Sequence, residues 1–200
     1  MMLRQGGDEF NSATLKPQWE WDYQPRANEW SLTERPGFLR LHAVKQLQPG
    51  PFFKTGDVLN QRYLRSNLTL ATIKVDFSRM ADGQETGLTN YNGGKNYATL
   101  SIVQKDGVKT IKYEEDGTPT PGDRLPPIAN NVWLRSTIGF DGVNGSSYST
   151  DGRKFTPFGG SFNLNPGGYR GDMIGIYTFN NASKAGYIDV DFFHNDVQNR

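Results

Sequence analysis

The chain has 200 residues and a mass of 22.4 kDa, the size of one domain or of two small ones. Its 23 glycines and 11 prolines together exceed the roughly 12% of average usage, which argues against a helical bundle. Aromatic residues make up 12% of the chain and argue against disorder, because disordered segments lack such side chains. The composition therefore predicts a single all-β domain over residues 1–200, rich in turns.

The charge balance narrows the range of partners. The 22 basic and 21 acidic side chains leave a net charge of +1, so the chain has no general electrostatic field for nucleic acid or for an anionic membrane. No apolar run approaches the ~20 residues that a membrane-spanning helix requires. We therefore expect no nucleic-acid partner and no membrane partner, and the near-neutral charge suits a neutral polysaccharide.

The absence of cysteine excludes disulfides, cysteine-ligated zinc and thiol catalysis. It fits a cytoplasmic protein and also a bacterial extracytoplasmic protein, so the localisation stays open. Residues 1–7 have no signal-peptide core, which leaves two explanations: a leader that has been removed, or one domain of a longer chain.

Dipeptides that favour tight turns recur along the chain, most of them about ten residues apart. Aspartate and asparagine tolerate a positive φ and glycine adopts it freely, so such pairs suit the connections between antiparallel strands. The pairs are Asp82-Gly83, Asn92-Gly93, Asp106-Gly107, Asp116-Gly117, Asp141-Gly142, Asn144-Gly145 and Asp151-Gly152. Their spacing predicts the hairpins of a sandwich or barrel rather than βαβ units.

Between the turns, apolar and polar residues alternate with a period of two. Such alternation is typical of antiparallel sheets with one face in the core and one face outside it. The predicted core sets are Ala71, Ile73, Val75 and Phe77; Ala98, Leu100 and Ile102; Val132, Leu134, Ile138 and Phe140; and Ile174 and Ile176. The fold class predicted from these patterns is an all-β antiparallel β-sandwich.

Catalytic groups are sparse in this sequence. The two histidines, His42 and His194, lie in no metal-type spacing, and no serine lies in a nucleophile elbow. Glu114 and Glu115 are adjacent, so on a strand they point to opposite faces and cannot form a glycosidase pair. The sequence therefore predicts no catalytic residue in this chain.

Three aspartates near the two ends of the chain suggest a different use of carboxylates. Asp8, Asp189 and Asp191 offer the hard oxygen ligands that calcium prefers, and Asp189 and Asp191 share a strand face by their spacing. The alternative is that all three are solvated carboxylates at strand ends. We expect no required cofactor, with a structural calcium ion as the one candidate.

Opposite the predicted core, the strands present rings and charged groups instead of a plain solvated surface. Sugars stack their C–H faces on aromatic rings and hydrogen-bond to charged groups, so this pattern predicts a carbohydrate-binding face. The candidate residues are Arg62, Glu85, Tyr91, Tyr97, Trp133, Arg135 and Tyr177. Two alternatives stay open: rings packed under loops, and a shifted strand register. Arg62 and Glu85 could also face each other as an internal ion pair.

A series of short motifs spans nearly the whole chain in order. The motifs are DEF (8–10), WEW (19–21), WSL (30–32), RPGFLRL (35–41), LNQR (59–62), ETGL (85–88), WLR (133–135), YSTDG (148–152), GIY (175–177) and DVDFF (189–193). This series resembles the C-terminal β-sandwich domain of family 43 glycoside hydrolases, the β-xylosidase and α-L-arabinofuranosidase group. That domain has a concanavalin A-like lectin/glucanase fold and is also classed as a carbohydrate-binding module.

The resemblance implies a non-catalytic domain excised from a larger hemicellulose-degrading enzyme. In that family the catalytic acid and base lie in a five-bladed β-propeller, on which the sandwich packs. Some members lend the substrate pocket an aromatic residue from between two glycines near the chain end. The corresponding stretch here is 171–175, where Met173 replaces the aromatic residue.

Two functions from different classes follow from the resemblance. The first is an accessory domain that binds xylan, arabinoxylan or xylo-oligosaccharides and supports the catalytic β-propeller domain. The second is a purely structural interaction domain, whose polar and aromatic face contacts the propeller without binding sugar. A self-sufficient glycosidase is a third hypothesis, and it would require two carboxylates clustered in a cleft.

Overall fold

The computed structural model of the chain describes residues 2–4, 6–48, 50, 52–62, 66–92, 96–164 and 171–198. Two antiparallel β-sheets pack face to face, which confirms the predicted sandwich. Within the described residues, no helix is long and apolar enough to cross a membrane. The one helical element described is a single 3-10 turn at Phe52–Lys54.

Sheet A contains nine strands within the described residues. They are β1 (Met2–Arg4), β3 (Trp30–Ser31), β4 (Leu39–His42), β6 (Leu68–Asp76), β11 (Asn131–Gly139), β12 (Val143–Ser149), β13 (Thr156–Pro157), β14 (Phe162–Asn163) and β16 (Tyr187–Gln198). Their order is β13-β12-β11-β6-β16-β4-β3, and β14 and β1 pair with β12 and β16. The central pair, β6 and β16, joins strands more than 100 residues apart in sequence.

Sheet B contains seven strands within the same residues. They are β2 (Glu20–Trp21), β5 (Leu59–Arg62), β7 (Gln84–Asn92), β8 (Asn96–Lys105), β9 (Val108–Glu115), β10 (Thr118–Arg124) and β15 (Asp172–Asn180). Their order is β10-β9-β8-β7-β15-β5-β2. Four strands from the middle of the chain therefore form a meander, and β15 connects it to the N-terminal strands β5 and β2.

Two of the predicted turns are confirmed in the meander of sheet B. Asp106-Gly107 joins β8 to β9 and Asp116-Gly117 joins β9 to β10, and all four residues have positive φ, as hairpin turns of type I′ require. The prediction for Asn144-Gly145 is wrong, because this pair lies inside β12 and Asp141-Gly142 makes the turn before it. The pair Asn92-Gly93 extends outside the described residues.

The residues that the alternation assigned to the core lie between the two sheets, with one exception. Ala98, Leu100 and Ile102 are at most 3% exposed, and the sets on β6, β11 and β15 are buried as completely. Phe140 is 59% exposed, because β11 ends at Gly139 and the chain turns away from the core. Full burial of an aliphatic side chain contributes about 1.5–3 kcal/mol, so this shared core is the main stabilising feature.

Candidate functional site

The predicted sugar-binding residues lie on two different outer faces of the sandwich. On β7, β8 and β15 the core residues alternate with Glu85, Tyr91, Tyr97 and Tyr177, which therefore lie on the outer face of sheet B. Arg62 on β5 lies on the same face. Trp133 and Arg135 alternate with the core residues of β11, so they lie on the outer face of sheet A. The structure thus places five candidates on the outer face of sheet B and two on the outer face of sheet A.

The three tyrosines of sheet B are closed off by the 3-10 turn. The ring of Phe52 stacks on Tyr97 with 4.8 Å between centroids and meets Tyr177 edge-on at 5.2 Å. Phe53 meets Tyr97 edge-on at 5.3 Å. Tyr91, Tyr97 and Tyr177 are only 4%, 5% and 0% exposed. We call these five rings the tyrosine cluster.

This burial corrects the expectation that the three tyrosines form an open stacking surface. The alternation placed their rings on the correct face, opposite the main core. It carried no information about Phe52, which lies 39 residues before Tyr91 in sequence and packs over that face. The structure agrees with the alternative stated above, in which the rings pack under a loop.

A polar network runs alongside the tyrosine cluster. The Lys112 ammonium group donates to Glu85 Oε2 at 2.6 Å and to Glu114 Oε2 at 3.0 Å. The hydroxyl of Tyr177 donates to Glu85 Oε1 at 2.9 Å, and that of Tyr97 donates to Glu114 Oε1 at 2.6 Å. Each carboxylate therefore accepts a bond from the lysine and another from a tyrosine.

The electrostatics of the network are consistent with an internal structural role. Burial opposes the charge on Lys112, but the carboxylates of Glu85 and Glu114 outweigh it and raise the pKa of Lys112. Burial, followed by the contact with Glu114, raises the pKa of Tyr97. The ammonium group and both phenols therefore keep their protons at neutral pH, and the two carboxylates are held by their donors.

Sequence reasoning did not single out Lys112 or Glu114 as members of this site. Both lie on β9, where Lys112 is opposite Ser101 and Glu114 is opposite Thr99 on β8. Their spacing of two residues was a usable signal, since it places both on the outer face with Tyr97. The prediction that Glu115 points to the other face agrees with its bond from Tyr113, whose ring belongs to the main core.

The suggested ion pair between Arg62 and Glu85 is wrong. Arg62 lies opposite Met173 on β15, whereas Glu85 lies opposite Phe179, six residues further along that strand. The Arg62 Nε atom is instead 3.9 Å from Glu20 Oε1, and its side chain is 62% exposed. Of the sheet B candidates, Arg62 alone extends into solvent.

Met173 occupies a different environment from the one that the family resemblance implies. Its side chain is fully buried in the tyrosine cluster, opposite Tyr91 on β7. A residue in that position cannot line the substrate pocket of a neighbouring domain. The preceding residues, 165–170, lie outside the described residues.

On the outer face of sheet A, the candidate residues are half-buried rather than fully buried. The half-buried ring of Trp133 lies 5.4 Å from the Lys74 ammonium group and packs against Gly152, where an added Cβ would come within 2.8 Å of the indole. The Arg135 guanidinium lies 3.4 Å above the ring of Phe155. Cation–π contacts of this kind hold rings and charges in a fixed arrangement. We call Trp133, Arg135 and Phe155 the Trp133 face.

Asp189 lies in a charged cluster on this sheet. Arg40 holds it in a bidentate pair, with its Nε 2.7 Å from Oδ1 and its Nη2 2.9 Å from Oδ2. Arg35 donates from Nη1 both to Asp76 and to Asp189. Asp189 is 4% exposed, so its charge is balanced by two guanidinium groups inside the fold.

The predicted calcium ligands Asp8 and Asp191 are not brought together. Asp8 accepts the indole N–H of Trp19 at 2.8 Å and lies 3.2 Å from the Lys16 ammonium group. Asp191 forms an ion pair of 2.7 Å with Lys74, next to an irregularity in the register of β16. Across the described ranges, no three acidic, histidine or cysteine side chains form a group that could hold a metal. Basic side chains and an indole occupy the oxygens that the prediction assigned to calcium.

Comparisons with known proteins agree with this architecture. A sequence model of the family described as the β-xylosidase C-terminal concanavalin A-like domain matches residues 7–195. A β-xylosidase of Formosa agariphila is 35% identical over 94% of this chain and 34% of its own length. A non-reducing end α-L-arabinofuranosidase of Bacteroides ovatus is 34% identical over 50% of this chain and 18% of its own.

The fold itself recurs in solved structures. A GH43 glycoside hydrolase engineered for endo-xylanase and exo-arabinofuranosidase activity superposes with a TM-score of 0.86 at 20% identity, over 96% of this chain and 40% of that one. The chain thus spans about a third of the length of the curated β-xylosidase that it matches. Because the family model covers nearly all of the sequence, the chain belongs to the family of concanavalin A-like domains found at the C-terminus of β-xylosidases.

Proposed function

We propose that this chain is a non-catalytic accessory domain of a hemicellulose-degrading GH43 enzyme, and that it supports a catalytic β-propeller domain. The family match over residues 7–195 carries this proposal, together with the chain spanning only 34% of the related β-xylosidase. A domain of that size leaves about two thirds of the relative's length for the part in which the catalytic acid and base would lie.

The carboxylates of sheet B support the non-catalytic role. Hydrolysis of a glycosidic bond requires two carboxyl groups on either side of an accessible substrate. Glu85 and Glu114 share the ammonium group of Lys112, and the Phe52 ring covers the adjacent tyrosines. Neither carboxylate faces an open cleft in this arrangement.

Activity assays on separate domains test the accessory role. The chain alone should not hydrolyse aryl-xyloside or aryl-arabinoside, and it should bind a separately expressed catalytic domain of the parent enzyme and raise its thermal stability. Hydrolysis by the chain alone that is abolished in Glu85→Gln would overturn the proposal. So would a failure to bind the catalytic domain.

A second function, binding of xylan-type polysaccharide, is supported by the Trp133 face. Trp133 and Arg135 are the two predicted sugar-binding residues on the outer face of sheet A, where they are half-buried, and Phe155 adds a second ring. A flat indole beside charged hydrogen-bond donors suits the C–H faces and hydroxyls of a sugar chain. The alternative is that the same surface contacts the propeller and binds no sugar.

Affinity electrophoresis through xylan and arabinoxylan distinguishes these two uses. Sugar binding requires that the gel retards the chain and that Trp133→Ala abolishes the retardation. Phe140→Ala is the matched control, because Phe140 is an exposed ring (59%) at the end of the same strand. Unretarded wild-type protein would favour the purely structural role.

A further inference from the structure

A cavity of about 360 Å³ opens between loops at the edge of the sandwich, away from both faces described above. It is lined by side chains from three segments, at positions 23, 24, 26, 29, 44, 45, 47 and 55–57, together with Lys184. Its volume is within the range of pockets that bind small ligands. The segment that closes the tyrosine cluster continues directly into its wall at Thr55, Gly56 and Asp57.

Asp57 is an unpaired acceptor in the wall of this cavity. It is 9% exposed, and its Oδ2 atom is shielded from solvent with no hydrogen-bond partner in the described part of the chain. Burial raises the pKa of Asp57 to about 6; Glu29 raises it further and Arg26 opposes the shift. Buried carboxylate oxygens almost always have a donor, and Oδ2 has none in the described residues. Asp57 lines the cavity, so a rotation of its carboxyl group would bring the shielded Oδ2 to a donor supplied by a ligand.

The other polar groups of the cavity define the chemistry of that ligand. Arg26, Lys45 and Lys184 offer donors, while Glu29 and Asp57 offer acceptors. The two carboxylates disfavour an anion, and the three basic side chains disfavour a metal cation. A neutral ligand with many hydroxyl groups satisfies both kinds of partner, because each hydroxyl donates and accepts.

An aromatic ring completes the site. Tyr23 lines the cavity and is 38% exposed, and the Lys54 ammonium group donates to its hydroxyl at 3.0 Å. This bond ties the ring to the end of the 3-10 turn and so fixes its orientation. A ring beside hydroxyl-binding groups is the combination that recognises a sugar ring.

We propose that this cavity, with Asp57 as the central acceptor and Tyr23 as the stacking ring, binds one or two neutral sugar units. The site is separate from the Trp133 face. It rests on the proposed hemicellulose-related function only for the choice of pentoses as probes.

Amide chemical-shift mapping of the whole chain with xylose, arabinose and xylobiose tests the proposal. We expect shifts at Tyr23, Gly56 and Asp57, and at least a tenfold weaker affinity in Asp57→Asn. This variant should fold with an unchanged or higher melting temperature, since it removes an unpaired buried charge. Trp133→Ala is the matched control and should keep the shifts at Gly56.

The remaining outcomes separate this site from the proposed function. Shifts confined to the Trp133 face, lost in Trp133→Ala and kept in Asp57→Asn, would overturn the cavity site and leave polysaccharide binding intact. No sugar-induced shift, together with weaker binding of the catalytic domain by Asp57→Asn, would overturn the site and assign Asp57 to a domain interface. No effect of Asp57→Asn in either assay would overturn it as well.

Discussion

The two outer faces of the sandwich carry similar side chains in very different environments. On sheet B, Tyr97 and Tyr177 lie under Phe52 and next to a lysine that serves two carboxylates. On sheet A, Trp133 and Arg135 make cation–π contacts and stay half-buried, with Gly152 and Phe155 of the segment between β12 and β13 packed against them. Strand alternation therefore determines which residues lie on a face, whereas a segment distant in sequence determines whether that face is accessible to a ligand.

Removing the ring that closes sheet B should have the largest effect. Phe52→Ala should lower the free energy of unfolding by about 3–5 kcal/mol, because the cavity left by a buried ring adds to the lost transfer energy. Urea denaturation measures the change. Phe140→Ala, at a ring that is 59% exposed, should change it by less than about 1 kcal/mol. Equal effects of the two substitutions would show that Phe52 does not cover the face.

Removing the shared lysine should have the next largest effect. Lys112→Met leaves two carboxylates, on side chains 12% and 20% exposed, without their cation and should cost about 2–3 kcal/mol at pH 7. Because the pKa of Lys112 is raised, its contribution should persist through neutral pH and disappear only as the pH rises through that pKa. Lys74→Met on sheet A, which breaks one pair with Asp191, should cost about 1 kcal/mol or less. A larger loss of stability in Lys74→Met than in Lys112→Met would contradict this prediction.

Asp57 follows the 3-10 turn that covers sheet B, and its substitution should raise the stability of the fold instead of lowering it. Its pKa of about 6 in the fold exceeds the ordinary 3.8, so the folded state holds this proton more tightly and stability falls as the pH rises through that window. Asp57→Asn should match the wild type below about pH 4 and be about 1–2 kcal/mol more stable above pH 6. Thermal unfolding at the two pH values measures the difference. A destabilised variant at neutral pH would contradict an unpaired carboxylate.

The smallest effect on stability is expected on the outer face of sheet A. Trp133→Ala removes a half-buried ring and one cation–π contact, so we expect a loss of about 1 kcal/mol or less in urea denaturation. Its main consequence should be on polysaccharide binding rather than on folding. A loss as large as that of Phe52→Ala would show that sheet A is covered too.

Local patterns predicted the strands well because their causes are local. Ala98, Leu100 and Ile102 alternate into the core, and the Asp106-Gly107 turn reverses the chain directly after them. The failures have equally physical causes. Asn144-Gly145 has the composition of a turn, but the chain already turns at Asp141-Gly142. Asn144 and Gly145 therefore lie in β12, where they pair with residues of β11.

The candidate site was predicted only in part. Tyr91 and Tyr177 were assigned to the correct face, but the register of β5 and β7 on β15 placed Arg62 and Glu85 six residues apart. Asp57 was not identified, because nothing in the local sequence indicates that an aspartate in a loop is buried. Burial of this carboxylate depends on three segments meeting, around residues 23–29, 44–47 and 55–57, with Lys184 from a distant part of the chain.

The all-β sandwich, most of the residues facing its core and the family of the chain could be predicted from the order of its amino acids. These follow from the side-chain period of a strand, from the φ angles of hairpin turns and from the order of motifs. The folded chain was needed to show that Phe52 closes one outer face, that Lys112 bridges two carboxylates and that Asp57 Oδ2 has no donor in the described residues. Each of these depends on contacts between residues far apart in the chain, whose pairing local periodicity does not encode.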